Sequence, residues 1–191
     1  MQALRTYFES FGELSSSNMD FLLQQCNEKR IEKGEILIHP NQHVDSIYFI
    51  VSGFLHYFSL NEYGERITLN VISPNKCWTV MESFFHQKTT ADECTALTEV
   101  TYCELSRTDY LSLKLRNKEL AGFIQTITES ILSSKVIEAN KKSIMTVEER
   151  YLDLLHSHPE MIQQVPVSII ASYIGTSRET LHRIRRKLTA A

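Results

Sequence analysis

Residues 167–186 have the sequence VSIIASYIGTSRETLHRIRR, and their spacing decides the fold of the carboxyl-terminal part of the chain. Counted from Val167, the small residue Ala171 is at position 5 and Gly175 is at position 9. A small residue lets two helices approach closely, and a glycine permits the left-handed backbone of a tight turn. Apolar residues occupy the positions that would set the angle between the helices: Ile170, Ile174, Leu181 and Ile184. The stretch therefore predicts a helix-turn-helix motif.

Both predicted helices have residues suited to their first turns. Pro166 suits the first turn of the first helix, because a backbone N–H is not needed there. For the second helix two caps are available: Thr176, with Glu179 as its capping partner, or Ser177. The sequence leaves these alternatives open.

The second helix carries residue types that read DNA. Arg178, Glu179 and Arg183 stand near its amino-terminal end, which is the end that meets base edges in this motif. Arginine fits the O6/N7 edge of guanine, and glutamate accepts a hydrogen bond from cytosine N4. We therefore predict these three residues as base contacts. Contacts to phosphate are predicted for the neighbouring hydroxyl and basic residues: Ser177, Thr180, Arg185, Arg186 and Lys187.

The charge of the chain is polarised along its length. Its net charge is −3, which by itself argues against a nucleic-acid partner. Residues 1–110 hold eight basic and fifteen acidic residues, whereas residues 161–191 hold five basic residues and one acidic residue. The carboxyl-terminal end is therefore the candidate for contact with an anion.

The composition is that of an ordinary globular chain of 191 residues, with 42% hydrophobic and 23% charged residues. No stretch approaches the roughly 18 apolar residues of a membrane span. The residues near the start do not form a signal peptide. The four cysteines are far apart in the sequence, without a Cys-x-x-Cys motif. We therefore expect a cytoplasmic protein with no membrane partner, no metal site and no cofactor.

Residues 31–107 contain short runs of β-branched and aromatic residues, separated by turn residues. The runs are 35–38, 46–51, 54–58, 66–72 and 99–105. Strands at this spacing predict a sandwich or a rolled barrel. A short amphipathic helix is expected before them, within residues 4–28.

From residue 108 onward the pattern is helical. One set of apolar residues recurs at alternating intervals of four and three, like a short heptad seam: Leu120, Ile124, Ile127 and Ile131. Two interpretations stay open, a helix that packs on its own domain and a seam between two helices of a dimer. Thr146 and Glu149 have the spacing of a capping box, so a new helix should start there and end at His158-Pro159.

Residues 175–184, with the sequence GTSRETLHRI, resemble the recognition-helix signature of the CRP/FNR family of bacterial transcription regulators. Residues 149–151 and 170–175 are similar to a subgroup common in Bacteroidetes. Three segments further upstream resemble the β-roll of the cyclic nucleotide-binding domain. They are KGE at residues 33–35, VSG at 51–53 and YGERI at 63–67. In that family the residues that match Arg178, Glu179 and Arg183 read base edges.

The resemblance covers nearly the whole chain and implies an α+β fold in three parts. These are a β-roll with the form of a double-stranded β-helix at 1–108, a dimerisation helix at 109–140 and an all-α helix-turn-helix domain at 141–191. It also implies a homodimer. Because the sequence ends at Ala191, five residues after Arg186, we expect most or all of the family's β-hairpin wing to be missing.

The chain departs from the members of the family that bind cyclic AMP. Those members carry Gly-Glu-Leu and, about ten residues later, Arg-Ser-Ala, whose arginine pairs with the cyclic phosphate. Here Thr79-Val80-Met81 stands in place of the first motif, and residues 67–106 contain no arginine. Residues 90–93, near the expected arginine, read TADE and are acidic. We therefore expect no binding of cyclic AMP.

The corresponding pocket is largely apolar in composition. Its candidate lining residues are Trp78, Val80, Met81, Glu82 and Phe84. This composition suggests either an apolar ligand or a pocket filled by its own side chains. Iron–sulfur sensing finds weak support, because only Cys26 lies near the amino terminus.

The leading hypothesis is a dimeric, sequence-specific regulator that binds double-stranded DNA, with RNA polymerase as a further partner and an unknown small-molecule effector or none. The alternative is a small-molecule-binding or oligomerisation module with a vestigial helix-turn-helix. No nucleophile–base pair, metal cluster or phosphate loop is recognisable in the sequence, so an enzyme is not expected.

Overall fold

Strands between Asn27 and Ser106 form two four-stranded antiparallel sheets in the computed structural model, which describes residues 2–189. The strands are β1 (Asn27–Ile31), β2 (Ile36–Ile38), β3 (Ser46–Ser52), β4 (Leu55–Leu60), β5 (Arg66–Ile72), β6 (Lys76–Trp78), β7 (Glu93–Ala96) and β8 (Val100–Ser106). One sheet has the order β1-β8-β3-β6 and the other β2-β7-β4-β5. We call these two sheets the β-roll.

Helices precede, interrupt and follow the β-roll. They are α1 (Gln2–Glu9), α2 (Ser16–Gln24), α3 (Met81–His86), α4 (Arg107–Arg116), α5 (Lys118–Ile144), α6 (Val147–Ser157), α7 (Pro159–Gln164), α8 (Val167–Tyr173) and α9 (Arg178–Thr189). No strand follows β8 within residues 2–189. The predicted α+β fold, with an antiparallel β core and a helical carboxyl-terminal region, is confirmed.

Alternating side chains give the β-roll two apolar faces, as the two-residue repeat of a strand requires. On β3, Tyr48 and Ile50 belong to the core between the sheets, whereas Ile47 and Phe49 belong to a second core. That second core packs the first sheet against α1, α2, α4 and α5. A third core joins Phe54 and Val71 of the β-roll to the carboxyl-terminal helices. The helices that precede the strands and those that follow them are therefore packed on the β-roll.

Five strands lie at the predicted runs, and three were missed. The strand β1 has the polar sequence NEKRI and is mostly exposed at the edge of its sheet, so it shows no apolar alternation. It is held by antiparallel pairing to β8 and by an ion pair of 2.8 Å between Lys29 and Glu104. The strands β6 and β7 span only three and four residues, which is too short for a pattern.

The prediction of one continuous helix over 109–140 is wrong. Asn117 has an extended backbone that ends α4, and its side chain accepts a hydrogen bond from the Leu120 N–H at 2.9 Å to cap α5. The Glu119 carboxylate, in the first turn of α5, accepts hydrogen bonds from the Ser15 N–H and hydroxyl at 2.5 and 2.9 Å. These contacts fix the start of α5, which continues four residues beyond the predicted end, to Ile144.

The four residues proposed as a dimer seam pack inside a single chain. Leu120, Ile124, Ile127 and Ile131 are between 0 and 4% exposed and lie in the core that α5 shares with α1, α2 and the β-roll. They are therefore not available to a second copy, and the prediction of a seam at these positions is wrong. The other interpretation, a helix packed on its own domain, describes this face of α5.

The capping box at Thr146 is confirmed. The Thr146 hydroxyl accepts a hydrogen bond from the Glu149 N–H, and the Glu149 carboxylate accepts one from the Thr146 N–H at 2.7 Å. The helix α6 ends at Ser157, before Pro159 begins α7. Hydrogen bonds from Thr146 lower the pKa of Glu149 below its ordinary value, so this cap is ionised at neutral pH.

The burial of α5 predicts different effects of truncation on its two faces. Ile127→Ala should lower the free energy of unfolding by about 2–5 kcal/mol, because it opens a cavity in a packed core. This loss should be the same at every protein concentration. Leu132→Ala, on the opposite side of α5 at a position that is 47% exposed, opens no core cavity, and any loss it causes should depend on protein concentration. Urea unfolding at several protein concentrations measures both, and a loss for Ile127→Ala that vanishes at high concentration would assign Ile127 to a subunit interface.

Candidate nucleic-acid interface

The helices α8 and α9 are joined by a turn at residues 174–177. Gly175 has a φ of +75°, in the left-handed region that favours glycine. The Thr176 N–H donates to the Ala171 carbonyl at 2.8 Å, and the Gly175 N–H donates to the Ser172 carbonyl at 3.1 Å. The turn therefore closes on the last residues of α8, and a side chain at position 175 would be strained.

The inner face of this helical pair is apolar, as the spacing predicts. Five residues of α8, the turn and α9 are at most 8% exposed: Ile170, Ala171, Ile174, Leu181 and Ile184. They share a core with Tyr151 and Leu154 of α6. The exposed face of α9 is thereby fixed on the opposite side.

Ser177, not Thr176, caps α9. The Ser177 hydroxyl oxygen accepts a hydrogen bond from the Thr180 N–H at 3.2 Å. The Ser177 and Thr180 hydroxyl oxygens are 3.3 Å apart. Pro166 stands immediately before the first residue of α8, one position earlier than a first-turn proline would.

Four of the predicted DNA contacts share one solvent-facing surface. Glu179, Arg183 and Arg186 are exposed and, together with the half-buried Thr180, line a shallow concavity on α9. Their spacing of four and three residues places them on one side of the helix. Arg178 is also exposed, at the amino-terminal end of α9. We call Glu179, Thr180, Arg183 and Arg186 the α9 face.

Glu179 carries a negative charge on this face. Hydrogen bonds from its own backbone N–H and from the Ser177 hydroxyl hold the pKa of Glu179 below its ordinary value, and the charges of Arg178 and His182 act in the same direction. The carboxylate is therefore an acceptor at neutral pH, flanked by guanidinium donors.

Two of the residues predicted to contact phosphate, Arg185 and Lys187, contact residues of α6 instead. The Arg185 guanidinium lies 5.5 Å from the centre of the Tyr151 ring, and its Nε and Nη2 atoms are buried with no hydrogen-bond partner among residues 2–189. Lys187 forms an ion pair with Glu148 at 2.9 Å. The sequence alone could not predict these contacts with α6. Without the position of α6, both residues are expected to belong to an exposed basic stripe on α9.

His182 was not singled out from the sequence. It is exposed on α9 and stands four residues after Arg178 and four before Arg186, so the three lie on neighbouring turns. The spacing of four residues between Arg178 and His182 is the sequence feature that could have identified His182 as part of this surface.

The candidate residues of the effector pocket do not line a common cavity. Trp78, Val80 and Phe84 are 4, 8 and 1% exposed, and each is packed in a core. Glu82 is exposed and pairs with Lys88 at 3.1 Å. Met81 packs against the core that contains Phe84. Of the two alternatives for this pocket, self-filling by side chains describes these positions.

The interior of the β-roll is filled by aromatic rings. Trp78 lies between Tyr57 and Tyr48, with ring centres 5.1 and 6.1 Å away. The Tyr57 hydroxyl donates to the Asp92 carboxylate at 2.5 Å. Burial and the Asp92 charge raise the pKa of Tyr57 above its ordinary value. The wall where an arginine was expected therefore presents a carboxylate.

The described residues contain neither a membrane-spanning helix nor a metal-binding cluster. No helix within residues 2–189 is long and apolar enough to cross a membrane. Across the same described range, no group of histidine, cysteine and carboxylate side chains is arranged to hold a metal ion.

The cap predicts a measurable loss of stability. Ser177→Ala should lower the free energy of unfolding by about 0.5–2 kcal/mol, because the Thr180 N–H loses its acceptor. Ser112→Ala, at an exposed position within α4, is the control and should have little effect. Thermal or urea unfolding measures both variants, and equal stability of the two would show that Ser177 is not the cap.

Comparisons with known proteins agree with this architecture. Residues 28–117 match the family model described as the cyclic nucleotide-binding domain. No curated protein sequence matches the chain significantly. A solved structure similar to this chain is that of a regulatory protein of Silicibacter pomeroyi DSS-3, described as cAMP-binding. The two sequences are 19% identical and the TM-score is 0.72, over 100% of this chain and 89% of that one.

Two other solved structures cover most of both chains. The c-di-GMP responsive global regulator CLP of Xanthomonas campestris is 18% identical, with a TM-score of 0.68 over 92% of each chain. A transcriptional regulator from Eubacterium rectale ATCC 33656, assigned to the CRP/FNR family, is 16% identical, with a TM-score of 0.67 over 97% of this chain and 88% of that one. At these identities the likeness establishes the fold. The chain therefore has the fold of the CRP/FNR regulators, with a match to the cyclic nucleotide-binding domain at residues 28–117.

Proposed function

We propose that this protein is a homodimeric transcription regulator that binds DNA sequence-specifically through α9 of each subunit. The observation that carries this proposal is the α9 face, where a carboxylate and two guanidinium groups share one exposed side of a helix. An α-helix fits the major groove of B-DNA, where each base pair presents a distinct set of donors and acceptors.

Each group on the α9 face has a role in such a complex. Arg183 would donate to guanine O6 and N7, and Glu179 would accept from cytosine N4. Arg178, at the amino-terminal end of α9, is the third base contact. Phosphate contacts would come from Arg186 and from the hydroxyls of Ser177 and Thr180. Lys187 could join them by exchanging its Glu148 partner for a phosphate, since its side chain is 69% exposed.

A dimer would form through the exposed side of α5, opposite the buried one. Residues on that side recur at intervals of three and four: Gly122, Gln125, Glu129, Leu132, Val136, Ala139 and Ser143. Leu132 and Val136, at its centre, are 47 and 59% exposed. This is the spacing with which two helices pack along a common seam. A twofold axis along α5 would present two α9 helices to half-sites about one helical turn apart.

Cyclic AMP is not the proposed effector. A cyclic phosphate bound in the β-roll would lie near the Asp92 carboxylate, which already accepts a hydrogen bond from Tyr57. Residues 67–106 offer no guanidinium to offset this charge. A buried anion beside an uncompensated carboxylate is strongly disfavoured. The regulator therefore acts without this nucleotide.

DNA binding predicts a specific loss when the α9 face is truncated. Arg183→Ala should weaken binding to the preferred duplex by about 1–3 kcal/mol and relax the preference at one base position. Arg186→Ala should weaken binding uniformly across sequences and reduce the slope of log K against log salt by about 1. Fluorescence anisotropy with labelled duplexes over a range of salt concentrations measures both effects.

The control for these variants is Arg30→Ala/Lys33→Ala, which removes two exposed positive charges from the β-roll. Its binding should match the wild type within about twofold. If the control loses as much affinity as Arg183→Ala, binding is non-specific attraction to charge. If the wild type binds no duplex, the helical pair is vestigial and the proposal fails.

The proposed dimer makes a separate prediction. Val136→Glu places a carboxylate at the centre of the exposed side of α5 and should shift the protein to monomers at concentrations where the wild type is dimeric. Leu115→Glu adds the same charge at an apolar residue of α4 that is 87% exposed, and it should leave the dimer intact. Sedimentation equilibrium distinguishes them. Dimers of unchanged stability in Val136→Glu would place the interface elsewhere.

A further inference from the structure

A cleft separates the β-roll from the carboxyl-terminal helices, and it is distinct from both the β-roll interior and the α9 face. Its walls come from β6, the last three turns of α5, α6 and α8. Its cavity volume is about 180 Å³. The polar and charged residues along it are Lys76, Ser134, Glu138, Lys141, Lys142, Arg150, Asp153, Ser157, His158 and Tyr173.

The cleft has more positive than negative groups. Lys141 is neutralised by Asp153, with 2.6 Å between Nζ and Oδ2. Neither Lys76 nor Lys142 forms an ion pair within the described part of the chain. Arg150 of α6 also lines the cleft, and its Nη1 donates to the Lys142 carbonyl at 2.6 Å. Glu138 is the remaining carboxylate in the cleft.

Several cationic groups act on Glu138. The charges of Lys76, Lys142, Lys135 and Lys141 all act to lower its pKa, yet burial outweighs them and raises it above the ordinary value. The pKa of Lys135, at the adjoining end of the cleft, is lowered by burial. One carboxylate therefore faces several cationic groups, and their combined positive charge exceeds its negative charge.

Unused hydrogen-bonding capacity lies along the same walls. The Arg150 Nε atom is buried and has no partner among residues 2–189. The Asn70 Oδ1 atom, where the cleft continues along β5, is also buried and unpaired within that range. Buried polar groups in folded proteins are nearly always paired, so such groups call for a ligand or ordered water.

An apolar surface faces these polar groups. Ile137 is 55% exposed although it lines the cleft, and Leu154 lines the cleft as well. The Lys142 ammonium lies over the Tyr173 ring, 5.6 Å from its centre. The ring therefore adds apolar area to the cleft and positions this charge. The site therefore suits a molecule with an anionic end and an apolar or aromatic body.

We propose that this cleft binds a small phosphorylated ligand, with its phosphate groups between Lys76, Lys142 and Arg150 and its body against Ile137 and Tyr173. Phosphate is favoured because ammonium groups and the guanidinium fork are its common partners in proteins. The ligand would touch β6, α5, α6 and α8 at once. It would thereby hold the helices that support α9 at a set position on the β-roll.

Pyrophosphate and tripolyphosphate are the probes for this site, measured by isothermal titration calorimetry at constant ionic strength without DNA. Lys76→Ala/Lys142→Ala should weaken their binding by about tenfold or more, because two charge-assisted hydrogen bonds are lost. Lys76→Arg/Lys142→Arg should retain binding. Thermal unfolding without ligand verifies that each variant is folded.

Two controls separate this site from general attraction of polyanions. Lys33→Ala/Lys118→Ala removes the same charge from exposed positions outside the cleft. Arg183→Ala/Arg186→Ala removes the guanidinium groups of the α9 face. Both should bind pyrophosphate like the wild type. No binding by the wild type, or an equal loss in either control, overturns the proposal, and neither result depends on whether the protein binds DNA.

Discussion

The one-sided burial of α5 is the constraint on which the rest of the architecture depends. Leu120, Ile124 and Ile127 lie against the β-roll and against α1 and α2. The Ser15–Glu119 hydrogen bonds hold the start of the same helix. Because a helix buried on one face must expose the other, this packing alone orients Leu132 and its neighbours toward solvent. In the proposed dimer, core packing within each subunit therefore sets the direction of the twofold axis.

The same helix determines where α9 lies. At its carboxyl end the Lys142 carbonyl accepts a hydrogen bond from Arg150 of α6, next to the turn at Gly175. The Thr68 N–H of β5 donates to the Ser172 hydroxyl of α8 at 3.0 Å. Phe54 joins the core of the carboxyl-terminal helices from the β-roll side. The helical pair is thus attached to both the β-roll and α5, and a ligand between them would act on both attachments.

Local signals in the sequence predicted local structure well. The turn at Gly175, the apolar face with Leu181 and the capping box at Thr146 each depend on a few neighbouring residues. Interactions between distant segments were not predictable. The heptad-like spacing around Ile127 is the same for a buried face and for a dimer seam, and the packing of α1 and α2 decides between them. Likewise, Arg185 fits an exposed basic stripe until Tyr151 of another helix is placed beside it.

Selection of bound duplexes from a random pool at moderate salt tests the central claim, that α9 reads a DNA sequence in a symmetric dimer. The wild type and an Arg178→Ala/Arg183→Ala protein are selected in parallel. We expect the wild type to enrich an inverted repeat with half-sites about one helical turn apart, and the variant to lose this enrichment. Enrichment of the same repeat by both proteins, or of no repeat by either, would contradict the account.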